Sequence, residues 1–129
     1  RGRDVDDYVG EFARLLQRAI SLADACADRV LALSIPDWGV TAFGAASGRD
    51  VARIADELDA YNAAARELCE ARGVAFVDIA AIARGCGADA AMLAEDGLHP
   101  SALQYARWTD AALPVARDLL SRGPTASVG

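Results

Sequence analysis

The residues with the clearest capacity for chemistry lie in the segment 96–101, which reads DGLHPS. His99 is the only histidine of the 129-residue chain. A histidine side chain exchanges protons near neutral pH, so it can take a proton from a serine hydroxyl and return it to a leaving alkoxide. A carboxylate bonded to the other ring nitrogen holds the imidazole in one tautomer and orientation. Asp96, on a turn that contains glycine, is predicted to reach His99 in this way.

The same segment also allows an interpretation without chemistry. Asp-Gly is a common turn dipeptide, and Pro-Ser begins many helices. On spacing alone, His99 is either a general base or a surface loop residue, and the pattern does not decide between them.

Helices and strands alternate along the chain and place this segment in a loop after the last strand. Apolar residues recur at helical spacing from Asp4 to about Ala27, from Asp50 to about Arg72, and after Ser101. The apolar runs 29–35 (RVLALSI) and 74–79 (VAFVDI) predict two buried strands. Residues 36–48 and 80–100 predict long connections, the second with about one helical turn.

The ends and faces of the helices follow from local residue types. Asp50 and Ser101 are predicted to cap the second and third helices, and Gly73 is predicted to end the second. Pro114 is expected to kink or restart the last helix. Tyr105 and Trp108, which recur at helical spacing in that helix, are interpreted as core residues.

The order α-β-α-β-α predicts an α/β fold, because strands separated by such helices join as right-handed parallel crossovers. Parallel sheets normally contain several strands and are covered on both faces. We therefore expect residues 1–122 to be the C-terminal part of a single larger domain, with a flexible tail at 123–129. The exposed edge of strand 29–35 is expected to be covered by a missing N-terminal half or by a second chain.

Composition excludes several classes of function. The net charge is −6 and all 13 basic residues are arginine, so the sequence predicts no nucleic-acid partner. No apolar run approaches the ~20 residues of a membrane span, and the three cysteines contain no C-x-x-C pair for a metal. The chain shows no signal peptide and does not begin with Met, so the compartment stays open, with a cytoplasmic location as the default expectation.

Four stretches together resemble the SGNH or GDSL-type serine hydrolases. DGLHPS, followed by an aromatic-bearing helix, resembles the last motif of that family, in which the catalytic Asp and His lie three residues apart. LALSIPDWGVTAFG resembles the strand and loop midway through many bacterial members. RIADELDAYNAAARELCEARGVAFVDI, with its N-x-x-x-R-x-L pattern, resembles their next helix and strand, and RGRDVDDYVGEFARLL resembles the preceding helix. The resemblance covers nearly the whole chain.

The resemblance implies hydrolysis of a small carboxylic ester by a Ser-His-Asp mechanism, with His99 as the base and Asp96 as its orienting partner. It implies a three-layer α/β/α sandwich of flavodoxin-like order, to which this chain contributes the last two strands and three helices. No metal and no organic cofactor is implied. The family's Gly-Asp-Ser nucleophile, its oxyanion glycine and its Gly-x-Asn motif belong upstream of position 1, so we expect the chain alone to be inactive.

Further residues have weaker claims to a function. Trp38 and Phe43, in the predicted loop after the first strand, either line an acyl or alcohol pocket as substrate-binding residues or only cover the sheet. Asp37 and Asp78 end the two strands and are interpreted as caps or turns. Asn62 is not expected to donate to an oxyanion, since it lies inside a helix far from any loop. The internal serines lack a strand-to-helix elbow, so none is predicted to replace the nucleophile.

Two other functional classes remain open. The chain is a noncatalytic α/β binding module if Asp96 and His99 do not touch. It is an inactive truncated fragment if nothing supplies the serine.

Overall fold

The computed structural model describes residues 4–123. The chain forms helix α1 (Val5–Leu22), strand β1 (Leu31–Leu33), helix α2 (Ala42–Ala46), helix α3 (Val51–Ala71), strand β2 (Ala75–Val77), helix α4 (Ala80–Cys86) and helix α5 (Ala102–Ser121). Short 3₁₀ turns occupy Ala27–Arg29, Trp38–Val40 and Ala90–Met92. From residue 124 onward, the predicted flexible tail lies outside the described residues.

The two predicted strands pair with each other in parallel, which confirms an α/β chain. Leu31 lies opposite Ala75, Ala32 opposite Phe76, and Leu33 opposite Val77. Two paired strands do not define the order of a larger sheet. The three-layer sandwich with flavodoxin-like order therefore stays a prediction.

Helices pack on both faces of this small sheet. Ala32 and Phe76 belong to a cluster around the buried residues Leu16, Cys69 and Val74, which brings α1 and α3 against one face. Leu31 and Val77 belong to a second cluster, around Ile79 and Trp108, which brings α5 against the other. Successive strand residues point to opposite faces, which explains why the alternating residues divide between the clusters.

The predicted helix boundaries are confirmed at the majority of helix ends. Asp50 accepts hydrogen bonds from the backbone N–H groups of Ala52 and Arg53, and the Ser101 hydroxyl accepts one from Gln104, so both caps are confirmed. Helix α1 is shorter than predicted and ends at Leu22. Asp24 and Ala25 have φ angles of 54° and 61°, a left-handed conformation that a right-handed helix excludes.

Four further predictions differ from the structure, in whole or in part. The predicted loop 36–48 contains α2, and the connection 80–100 begins with the seven-residue helix α4. Helix α5 continues through Pro114, so the predicted restart is wrong, whereas the predicted kink stays a prediction. Tyr105 is 53% exposed rather than buried, although its ring contacts that of the buried Trp108 edge-to-face.

The edge of β1 away from β2 has no strand beside it within residues 4–123. Leu33, at the end of this strand, is 43% exposed. It lines an apolar groove along α5 together with Tyr105, Trp108 and Leu113. Within the same residues, no helix is both long and apolar enough to cross a membrane.

Candidate acid–base site

The Asp96–His99 loop takes its shape from a tight turn that needs glycine. Gly97 has a φ of +68°, a left-handed conformation that residues with a Cβ adopt only at a cost. Its backbone N–H donates to the Ala94 carbonyl over 3.0 Å. The turn directs Oδ1 of Asp96 at two backbone N–H groups, those of Leu98 at 3.0 Å and His99 at 2.9 Å. One carboxylate oxygen is thereby used to hold the loop, which leaves the other for the imidazole.

Hydrogen bonds also join the end of this loop, at His99 and Ser101, to the residues that precede it. The Ala94 N–H donates to the His99 carbonyl over 2.7 Å, and the Ser101 N–H donates to the Met92 carbonyl over 2.9 Å. The Ser101 hydroxyl donates to the Ala91 carbonyl over 2.7 Å. Ser101 thus ties the loop to the start of α5 and caps that helix at the same time.

The two predicted catalytic side chains are in contact. The Nδ1 atom of His99 lies 2.5 Å from Oδ2 of Asp96. The hydrogen bond from His99, followed by those from the two backbone N–H groups, lowers the pKa of Asp96 from 3.8 to about 2. An ionised carboxylate only accepts hydrogen bonds, so the proton of this contact resides on Nδ1. In the neutral ring, Nε2 then carries the free lone pair, as a general base requires.

His99 opens onto a cavity of about 520 Å³. Apart from Arg49 and His99, the cavity is lined by apolar residues: Ile35, Pro36, Trp38, Phe43, Leu98 and Pro100. The Trp38 and Phe43 rings lie 6.2 Å apart, so the structure brings both predicted substrate-binding residues to the same cavity as His99. The His99 side chain is 70% exposed, and the cavity is correspondingly open.

Asn62 fixes the cavity wall at Ile35. Its Oδ1 accepts the Ile35 N–H over 2.8 Å, and its Nδ2 donates to the Ile35 carbonyl over 2.9 Å. The side-chain amide thereby makes the two bonds that a neighbouring strand makes in a ladder. The expectation that Asn62 lies far from any loop is wrong, because α3 runs beside the end of β1.

Asp37 fixes the next part of the same wall. Its side chain is 2% exposed and accepts from the Gly39 N–H at 2.9 Å and from Nε of Arg84 at 2.8 Å. Arg84 also pairs with Asp59 over 2.8 Å. The hydrogen bonds from Arg84 to Asp37 and then to Asp59 raise the pKa of the guanidinium. Trp38 therefore follows a residue that is bonded to Arg84 of α4, and Arg84 in turn pairs with Asp59 of α3.

A third contact joins the ends of the two strands. The Ser34 hydroxyl donates to Oδ1 of Asp78 over 2.9 Å and accepts from the backbone N–H groups of Ile79 at 2.8 Å and Ala80 at 3.0 Å. Arg66, the arginine of the N-x-x-x-R-x-L pattern, lies 3.6 Å from the Asp78 carboxylate. Asp37 and Asp78 therefore serve as turn and helix-start residues, as interpreted from the sequence.

Each serine hydroxyl within residues 4–123 donates a hydrogen bond to an acceptor of the protein. The hydroxyls of Ser21, Ser47, Ser101 and Ser121 donate to backbone carbonyls, and that of Ser34 donates to Asp78. Among residues 4–123, none of these bonds includes His99. Within residues 4–123, His99 is thus oriented by Asp96, and no serine hydroxyl is bonded to it.

Two kinds of site residue escaped the sequence interpretation. Arg49 lies over the Trp38 ring, 5.4 Å from its centroid, and lines the cavity, yet nothing around it in the sequence marks it. Asn62 carried a signal, since it belongs to the N-x-x-x-R-x-L pattern, but the pattern does not reveal its partner.

Comparison with known families gives a match over most of the chain. The model described as the GDSL-like Lipase/Acylhydrolase family matches residues 1–107, a range that includes Asp96 and His99. No curated protein and no solved structure matches the chain.

Proposed function

The chain belongs to the GDSL-like lipase/acylhydrolase family, and from this premise we propose that it supplies the general base of a serine esterase. The observation that carries the proposal is the 2.5 Å contact between Nδ1 of His99 and the Asp96 carboxylate at an apolar cavity. A noncatalytic binding module gives no reason for these two side chains to meet.

The proposed reaction is acyl transfer in two steps. Nε2 of His99 takes the proton of a serine hydroxyl, and the serine oxygen attacks the ester carbonyl. The imidazolium then gives that proton to the departing alkoxide, which leaves an acyl-serine. In the second step His99 takes a proton from water, the resulting hydroxide attacks the acyl carbon, and the proton returns to the serine oxygen. Asp96 stays ionised and stabilises the imidazolium each time.

The nucleophile and the oxyanion donors of this proposal lie outside residues 4–123. Each described serine hydroxyl already has an acceptor, and none of them is bonded to His99. A base without a nucleophile and without donors for the oxyanion does not accelerate acyl transfer at an enzyme's rate. We therefore infer that the 129-residue chain is inactive alone and acts together with a segment that bears the serine.

The test is hydrolysis of p-nitrophenyl acetate. We expect the 129-residue chain to give only a trace imidazole background, and a polypeptide extended to include the family's Gly-Asp-Ser segment to give fluorophosphonate-sensitive turnover. In that longer polypeptide, His99→Ala is expected to lower kcat by about 10⁴-fold or more, as loss of a triad member does. Full activity of the His99→Ala variant would refute the role of the base, and strong fluorophosphonate-sensitive activity from the short chain would place the serine within it.

We also propose that the free edge of β1 is covered in the working protein, either by the segment that carries the nucleophile or by a second chain. The proposal is supported by the exposed Leu33 and the apolar groove beside it, because such edges pair with other strands. Size-exclusion chromatography with light scattering tests it on the chain alone. A cooperatively melting monomer would contradict it.

A further inference from the structure

Arg49 brings a positive charge to an otherwise apolar cavity. Of the residues that line the cavity beside His99, it is the only one with a permanent charge, and no carboxylate is among them. The chain as a whole carries a net charge of −6. A cation at this position is therefore opposite in sign to the average charge of the molecule.

The two carboxylates that line a neighbouring pocket together with Arg49, those of Asp50 and Glu57, already have other partners. Asp50 accepts from the N–H groups of Ala52 and Arg53 as the cap of α3. Glu57 pairs with Arg53 over 3.0 Å. Within the part of the chain that the structure describes, Arg49 makes no ion pair, and its guanidinium rests on the face of Trp38.

The contact between Arg49 and the Trp38 ring leaves N–H donors of the guanidinium for an anion, because arginine carries five donors and the attraction to the ring face acts on the charge rather than on one particular N–H group. Arginine binds carboxylates and phosphates through two parallel hydrogen bonds, so such an anion is the group that this arrangement can hold.

We propose that Arg49 binds an anionic group of the substrate, and that the substrate is an ester whose apolar chain ends in a carboxylate or a phosphate. This inference rests on the proposed function, because it assigns the substrate of the same cavity. The apolar wall from Ile35 to Phe43 contacts the chain, His99 faces the ester, and Arg49 binds the terminal anion.

The competing explanation is that Arg49 only covers the Trp38 ring. Arginine stems often lie along apolar surfaces while the charged head stays in water. A covering residue affects neutral and anionic ligands alike, whereas an anion-binding residue favours the anionic one. The two explanations therefore differ in the ratio of two affinities, which a pair of matched ligands measures.

The experiment is a titration of the 129-residue chain followed by ¹H–¹⁵N NMR. The chain has two tryptophans and so two indole N–H signals. Trp38 lines the cavity, while Trp108 is a buried core residue of α5 and serves as the internal control. Trp38→Phe assigns the two signals. The ligands are methyl hexanoate, monomethyl adipate, which is the same ester with a terminal carboxylate, and hexyl phosphate.

We expect the Trp38 signal alone to move, and monomethyl adipate to bind about fivefold more tightly than methyl hexanoate, the upper range for an exposed ion pair. Arg49→Gln should abolish this preference, so that the two esters bind with equal affinity. Arg107→Gln, which removes an exposed arginine of α5 that does not line the cavity, should keep the preference. About 0.5 M salt should reduce the preference through screening. Hexyl phosphate shows whether phosphate or carboxylate is favoured.

Equal affinities for the two esters, or a preference that survives Arg49→Gln, would overturn the role of Arg49 and leave the esterase proposal intact. A Trp38 signal that no ligand moves would overturn the cavity as a binding site. Neither result depends on turnover, whereas the proposed function fails only if hydrolysis survives His99→Ala. The two failures are therefore distinguishable.

Discussion

Two regions of the molecule shape the same cavity and are built in opposite ways. In the Asp96–His99 loop, the side-chain contacts of Asp96 join residues two or three positions apart. The strand-end network is formed by Ser34, Asp37, Asn62, Asp78 and Arg84. Its bonds from Ser34 to Asp78, from Asn62 to Ile35 and from Arg84 to Asp37 join residues 27 to 47 positions apart. The loop is exposed, whereas Ser34 and Asp37 are almost fully buried.

His99 and the wall of the cavity therefore depend on different parts of the fold. The orientation of His99 is encoded locally and needs only the turn. The wall of the cavity takes its position only when α3, α4 and both strands have assembled. Substitutions in the loop should therefore change activity more than stability, and substitutions in the network should change stability first.

Asp96→Asn should have the largest effect on activity. The amide oxygen of asparagine still accepts from the Leu98 and His99 N–H groups, but its NH₂ group faces Nδ1 and favours the wrong tautomer. We expect kcat for p-nitrophenyl acetate, in the polypeptide that carries the nucleophile, to fall by about 10⁴-fold, with an unchanged melting temperature. A comparable loss of melting temperature would show that the loop also supports the fold.

Ser34→Ala should have the largest effect on stability. The buried N–H of Ile79 loses its acceptor, whereas that of Ala80 retains Asp78. We expect the free energy of unfolding to fall by about 1–3 kcal/mol, the cost of an unsatisfied buried donor. Urea denaturation measures it, and Ser47→Ala, which removes a hydroxyl from an exposed residue, is the control. If both variants lose equally little, the network does not hold the strand ends.

Gly97→Ala should combine a small stability loss with a loss of activity. Its left-handed φ costs about 1 kcal/mol for a residue with a Cβ, and that Cβ would lie 3.4 Å from the Cβ of Ala42. Gly48, with a φ of +72° and open space around it, provides the matched control Gly48→Ala. Both variants should lose similar stability by urea denaturation, but only Gly97→Ala should lower kcat. A loss of kcat in Gly48→Ala as well would contradict the local origin of the His99 geometry.

The smallest effect concerns the titration of Asp96. Because its pKa in the fold is about 2 and its ordinary value is 3.8, its contribution to stability is fully present above about pH 4 and is lost as the pH falls through about 2. Carboxyl ¹³C NMR should show this midpoint near pH 2. His99→Ala removes the largest cause of the shift and should move the midpoint part of the way back. A wild-type midpoint near 3.8 would contradict the contact.

The same division explains what the sequence could predict. The Asp96–His99 contact, the caps at Asp50 and Ser101, and the two strands depend on short spacings, and the structure contains all of them. The contact of Asn62 with Ile35 depends on how α3 lies beside β1, which no local pattern contains.

The sequence also did not predict the short helix α2, or which of the two aromatic residues of α5 is buried. Helix α2 has five residues, too few to show a helical period. Tyr105 and Trp108 share a spacing, but only neighbouring elements decide which of them is covered, and within residues 4–123 nothing buries Tyr105.

The backbone N–H of Phe43 donates to the carbonyl of Gly97 over 3.1 Å. This bond links α2, which carries the Phe43 ring that lines the cavity, to the turn that orients His99. For the proposed esterase, we therefore expect substrate range and turnover rate to be coupled traits. A variant selected to accept bulkier esters by an outward shift of α2 pulls on the Gly97 carbonyl and carries His99 with it. A variant that only shortens the Phe43 side chain leaves the bond intact, so adaptation through side chains should preserve rate where adaptation through the backbone does not.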